Sequence, residues 1–122
     1  MIKSGVQLAN LMPQMALAYT IACKVYDLHA LRCVITSAGY SLKVHKVGSL
    51  HGSGRALDLR APSWYGSPIF LDAKIRDELK VALGEEFDVI LEEREPRPGV
   101  RVAHIHMEWD PDVFPSTGKD VT

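Results

Sequence analysis

The stretch Ser49–Arg60, SLHGSGRALDLR, decides how the rest of the chain is read. Its second half, continued by Ala61, alternates: Ala56, Asp58 and Arg60 share one face and Leu57, Leu59 and Ala61 the other, the period of a half-buried strand. Such a strand lays one side on a core and leaves the other for polar groups, so Asp58 points away from the apolar side. In the first half His51 is followed by Gly52 and Gly54, whose backbone freedom allows a tight bend that carries an imidazole back toward Asp58. The reading predicts a sheet covered on one side only, and the other strands should show the same division.

They do. Phe87–Glu93, FDVILEE, sets Phe87, Val89 and Leu91 against Asp88, Ile90 and Glu92. Val100–Asp110, VRVAHIHMEWD, sets Ala103, Ile105, Met107 and Trp109 against Val102, His104, His106 and Glu108, so both histidines point the same way. A short β-branched segment, CVITS, ends at the turn SAGY and supplies another strand. Glu93–Val100, EREPRPGV, reads as a charged, proline-bearing hairpin loop, and the region from Ser41 to Leu50 lacks a period and reads as a loop.

Two helices are expected to cover the apolar side. From Pro13 to about Leu31 the residues Met15, Leu17, Ala18, Ile21, Ala22, Val25, Leu28 and Leu31 recur every three or four positions, and Pro13 suits a first turn. A second helix runs through IFLDAKIRDELKVALGE, burying Ile69, Phe70, Ala73, Ile75, Leu79, Ala82 and Leu83 and stopping at Gly84. The expected fold is therefore α+β: a small antiparallel sheet with two main helices packed on one face and a groove on the other. At 122 residues the chain forms one domain, with a core from about 13 to 111 and a patternless tail over 112–122.

Composition narrows the function. An apolar fraction of 47% and a charged fraction of 24% belong to an ordinary globular protein. A net charge of −1 and a pI near 6.5 supply no drive toward nucleic acid or anionic membranes. No apolar run approaches the about 18 residues that a bilayer span needs, and no secretory signal is visible, so synthesis in the cytoplasm is expected. Cys23 and Cys33 lie in apolar runs and read as reduced, buried thiols.

The polar face gathers Asp58, Glu92, His104 and His106, with His51 brought to it by the glycine bend. Imidazole nitrogen and carboxylate oxygen are the ligands zinc takes in tetrahedral sites, and a catalytic zinc keeps one position for water. Two histidines and one aspartate would serve. Glu92 is a carboxylate placed to act as a base, Glu108 could orient a histidine ligand, and His29, late in the first helix, reads as structural.

Ser49, His51, Gly54, Ala56 and Asp58 spell S-x-H-x-x-G-x-A-x-D, and with the later H-x-H and the preceding VITSAGY they resemble the D-alanyl-D-alanine carboxypeptidase and dipeptidase family of zinc peptidases, relatives of the lysostaphin and hedgehog folds. The combination SLHGSGRALDLR, DVILE and HIHMEWDP is most similar to small members found in bacteriophages and prophages. The resemblance implies one zinc ion held by His51, Asp58 and His106, and hydrolysis of amide bonds in peptidoglycan stem peptides or cross-links. It also implies action on the wall after release at lysis or as part of a virion; a monomer is expected, although the sequence does not give the oligomeric state.

Many family members carry Glu or Asp three residues before the last histidine ligand, where this chain has Ala103, so Glu92 is expected as base and His104 as its assistant. The arginine that often follows the TSGY-like turn is replaced by Ser41, which leaves a peptidoglycan endopeptidase as open a reading as a D-Ala-D-Ala carboxypeptidase-like enzyme. Ser49, Lys43, His45 and Arg60 are the substrate-binding candidates that remain, with Lys46 a further cation nearby and Trp64 and Tyr65 either walling the groove or simply packing. Because hedgehog-type relatives need not act as peptidases, a non-hydrolytic zinc-containing, wall-binding module is the alternative.

Overall fold

The computed structural model describes residues 1–6, 8, 11–38 and 54–111. In chain order it contains α1 (Pro13–Asp27), β1 (Ile35–Ala38), β2 (Ala56–Arg60), a 3-10 turn (Pro62–Tyr65), α2 (Phe70–Leu83), β3 (Phe87–Arg97) and β4 (Val100–Trp109). The strands form one sheet in the order β1-β2-β4-β3 with every pairing antiparallel. The fold is thus α+β, a four-stranded antiparallel sheet with two helices.

One cluster ties the layers together. Met15, Ala18, Ala22, Val25 and Tyr26 of α1 and Ile75 and Leu79 of α2 pack with Leu57, Leu59, Val89, Ile105 and Met107, the residues that alternation assigned to the apolar side of β2, β3 and β4. The opposite side carries Asp58, Ile90, Glu92, His104, His106 and Glu108. Residues 1–3 lie alongside β1: Ile2 bridges Ile35, and backbone bonds join Lys3 N–H to the Ile35 carbonyl and Ile35 N–H to the Met1 carbonyl, each 2.9 Å. Among the described residues no helix is long and apolar enough to cross a membrane. Both cysteines are free, and burial pushes the Cys33 thiol well above its ordinary pKa, as suits an inert core residue.

Several boundaries differ from those read in the sequence. The first helix stops at Asp27 rather than near Leu31, leaving Leu28 exposed and His29 beyond its end, and Leu17, inside the helix, faces solvent. The stop is a left-handed Ala30 (φ 56°) that lets Leu31 N–H reach the Tyr26 carbonyl and Ala30 N–H the Asp27 carbonyl, each 3.0 Å, the paired bonds of a Schellman cap. That position usually holds glycine, so alanine gave no stop signal. At the second helix Ile69 and Phe70 are exposed, and the first buried position is Asp72.

The stretch Glu93–Arg97 is strand rather than loop, leaving only Pro98 and Gly99 to turn the hairpin, with Gly99 at φ 80°. β3 is an edge strand, so Pro96 can sit where no ladder bond is needed, beside a register shift between Arg94 and Arg97. Its charged, exposed residues keep that edge from pairing with another chain. Trp64 and Tyr65 belong to the 3-10 turn.

Candidate metal centre

The antiparallel register places the site residues. β2 and β4 pair Asp58 with His106 and Arg60 with His104, and β3 and β4 pair Glu92 with His104. Directly opposed residues on one face have neighbouring side chains, so three strands deliver Asp58, Glu92, His104 and His106 to one patch. Asp58 and His106 are buried, while His104 and Glu92 lie at the more open end.

Asp58 stands between the two histidines. Its Oδ1 is 2.9 Å from His106 Nδ1, and its Oδ2 is 3.5 Å from His104 Nε2. His104 Nε2 is in turn 2.6 Å from Glu92 Oε1, and His106 Nε2 is 2.5 Å from Glu108 Oε1. Asp58, Glu92 and His104 each offer a donor atom within 4.8 Å of the others, a set that could hold a metal ion.

The chemistry of this patch favours a cation. A neutral imidazole carries one N–H, yet both ring nitrogens of His106 face carboxylate oxygens. One of those contacts would set a lone pair against an oxygen unless a proton or a metal ion lies between. Burial alone lowers the His106 pKa, but hydrogen bonds to Asp58 and Glu108 outweigh it and lift the value to about 9, so in the metal-free protein the gap is filled by a proton. Three carboxylates, Asp58, Glu92 and Glu108, surround two imidazoles, an excess of negative charge that a divalent ion would offset.

Spacing agrees with the same reading. Tetrahedral zinc with N and O ligands at about 2.0–2.1 Å holds its donor atoms about 3.3 Å apart, and the two separations from Asp58 fall on either side of that figure. Glu108, by accepting from Nε2, would leave the Nδ1 lone pair directed at Asp58. The described donors that could share one ion are therefore Asp58, Glu92 and His104, whereas His106 bonds the other Asp58 oxygen and lies outside that set.

Of the other residues read from the sequence, His51, Ser49, Lys43, His45 and Lys46 lie outside the described residues, as does the tail over 112–122. Ala103 sits on the helix-facing side of β4, paired with Glu93, so a carboxylate there would point away from Asp58. Glu92 occupies the side that reaches His104. His29 makes a 2.8 Å contact with Glu78 on α2, away from the sheet. A second acidic group, Asp88, Glu108 and Asp110, adjoins the patch at the other end of β4.

Sequence reasoning missed a buried ionic network below the sheet. Asp72 is fully buried and accepts from Ser63 N–H (2.8 Å), Ser63 Oγ (2.7 Å) and Arg101 Nη1 (2.9 Å), and Arg101 also pairs with Glu93. The available signal was Asp72 itself, a charge three and seven residues before Ile75 and Leu79 on an otherwise apolar helix stripe. No family model, no curated protein and no solved structure matches the chain.

Proposed function

We propose that this protein is a zinc-dependent peptidase of the D-alanyl-D-alanine peptidase and hedgehog fold group, hydrolysing amide bonds of peptidoglycan stem peptides or cross-links. The observation that carries the reading is Asp58 held between His106 and His104 on one face of the sheet, with Glu92 bonded to His104. Asp58 and His106 would hold the ion together with His51, the ligand contributed by the motif. When bound, zinc supplies a Lewis acid for a scissile carbonyl and acidifies water at neutral pH.

The remaining chemistry belongs to side chains. Glu92, at the open end of the patch, takes the proton from the attacking water and returns it to the leaving amine. His104, 2.6 Å from Glu92 Oε1, steadies that carboxylate and donates toward the developing oxyanion. Glu108 fixes the His106 ring, and Glu92, on the side that reaches His104, is the base.

The test is incubation of the purified protein with cell-wall sacculi, following zinc-dependent release of new amino termini. Glu92→Gln is expected to lower turnover by roughly 10²–10⁴-fold with zinc content unchanged, and mass spectrometry of the fragments names the bond. Ala103, in place of the carboxylate many relatives carry, favours a second reading, a wall-binding module that does not hydrolyse. Sacculus binding without any release would establish that reading and end the peptidase one.

A further inference from the structure

The side of α2 that faces away from the core carries a stripe built alike from either end. At about 3.6 residues per turn, Phe70, Lys74, Asp77 and Val81 fall along one line of the helix. Phe70 and Val81, its apolar ends, are 71% and 86% exposed. An open groove of about 1010 Å³ follows the stripe and is walled on its other side by Val25, Leu28 and His29 at the end of α1, with Leu28 82% exposed. Large apolar side chains left this open along one groove mark an interaction surface.

The charges between those ends say which partner fits. Phe70 and Val81 stand equally far from the middle of the stripe, and so do Lys74 and Asp77. A second α2 running antiparallel about a two-fold axis therefore sets Phe70 against Val81 of the other copy and Lys74 against its Asp77. The flanking positions obey the same symmetry: Ala73 falls opposite Glu78, and Ala82 opposite the exposed Ile69. Lys74 and Asp77 already have partners on their own helix, Glu78 at 3.8 Å and Arg76 at 2.6 Å. Their side chains are still 55% and 65% exposed, so each can take a second partner.

We infer that this face joins two copies of the chain in a two-fold, antiparallel pairing of their α2 helices, in place of the monomer expected from the sequence. Phe70 of each copy enters the groove of the other beside Val81 and Leu28, and two ion pairs between Lys74 and Asp77 cross the axis. An antiparallel helix with an acid opposite Lys74, a base opposite Asp77 and an apolar side chain at both ends is what α2 itself offers. Helices and metal patch lie on opposite sides of the sheet, so both patches stay open in the pair. The inference does not depend on the peptidase reading.

Sedimentation velocity of the full chain from about 1 μM to 1 mM should reveal a species of twice the 13.5 kDa chain mass. Lys74→Glu and Asp77→Lys should each weaken association roughly tenfold or more, because two-fold symmetry makes every substitution set like charges together twice. An equimolar mixture of the two variants should recover wild-type affinity, since each supplies the charge that the other lacks, and the double variant should pair with itself as wild type does. Phe70→Ser should weaken association roughly tenfold or more. These side chains are exposed, so denaturant midpoints of the variants should match wild type, which separates lost pairing from lost folding. A single chain mass at every concentration would overturn the inference, whether residues 112–122, a different protein or solvent covers the groove. So would a dimer indifferent to the charge substitutions, or a mixture that associates no better than either variant alone.

Discussion

Asp72 and Asp58 are the two aspartates buried among the described residues, and their surroundings are opposites. Asp72 receives a backbone N–H, a hydroxyl and a guanidinium, all donors, from the 3-10 turn and β4. It closes a network that needs nothing more. Asp58 faces imidazoles whose other described contacts are again carboxylates, Glu92 and Glu108. Both carboxylates are buried, and burial by itself does not tell a clamp from a site; the sign of the partners does.

The largest expected effect breaks the comparison on the structural side. Asp72→Ala leaves Arg101 with Glu93 and the Ser63 hydroxyl, takes the acceptor from Ser63 N–H, and should cost about 1–3 kcal/mol of folding stability. Denaturant unfolding measures it, and zinc bound per folded molecule should not change. On the other side, Glu108→Ala removes the acceptor that orients His106 and should weaken zinc binding about 10–100-fold with a smaller loss of stability. Competition with a chelating dye reads the affinity.

The Asp58 side should also respond to pH, through His106. Without metal, burial lowers the His106 pKa but the hydrogen bonds to Asp58 and Glu108 raise it from an ordinary 6.5 to about 9, so its protonated form stabilises the fold. A folded pKa above the unfolded one means that this contribution is complete below about pH 6.5 and is lost as pH rises through about 9. Melting temperature of the metal-free protein should fall across that window, and zinc, by taking the proton's place, should flatten the curve. His106→Gln should flatten it too.

The smallest effect touches neither aspartate. Ala30→Gly relieves a left-handed alanine at the end of α1 and should raise stability by about 1 kcal/mol or less, since glycine's greater freedom when unfolded offsets part of the gain. It serves as the control against which the two aspartates are compared, with zinc affinity unmoved.

How much of this was legible beforehand follows from what alternation can and cannot encode. Period two along β2, β3 and β4 separates Leu57, Leu59, Val89, Ile105 and Met107 from Asp58, Glu92, His104 and His106, because side chains on a strand must alternate. The fold class and the grouping of those four polar residues came from that rule. Helix ends were less visible, since Ala30 adopts a conformation that usually advertises itself through glycine. The hairpin was read too long because Pro96 looks like a loop residue until β3 is known to be an edge strand.

Long-range polar pairing lies further out of reach. Nothing in the local sequence joins Asp72 to Ser63 and Arg101, or makes one histidine bond Glu92 and the other Glu108; those choices come from strand register. The same holds for the stacking of Arg60 on Trp64 and of Arg55 on Trp109.

X-ray absorption at the zinc edge of the purified, zinc-supplemented protein tests the central claim most directly. The account predicts one tightly held zinc per chain with a shell of nitrogen and oxygen at about 2.0–2.1 Å, imidazole scattering beyond it, and loss of that shell in Asp58→Ala. A protein that retains no zinc, or one whose zinc has sulfur neighbours at about 2.3 Å, would contradict it.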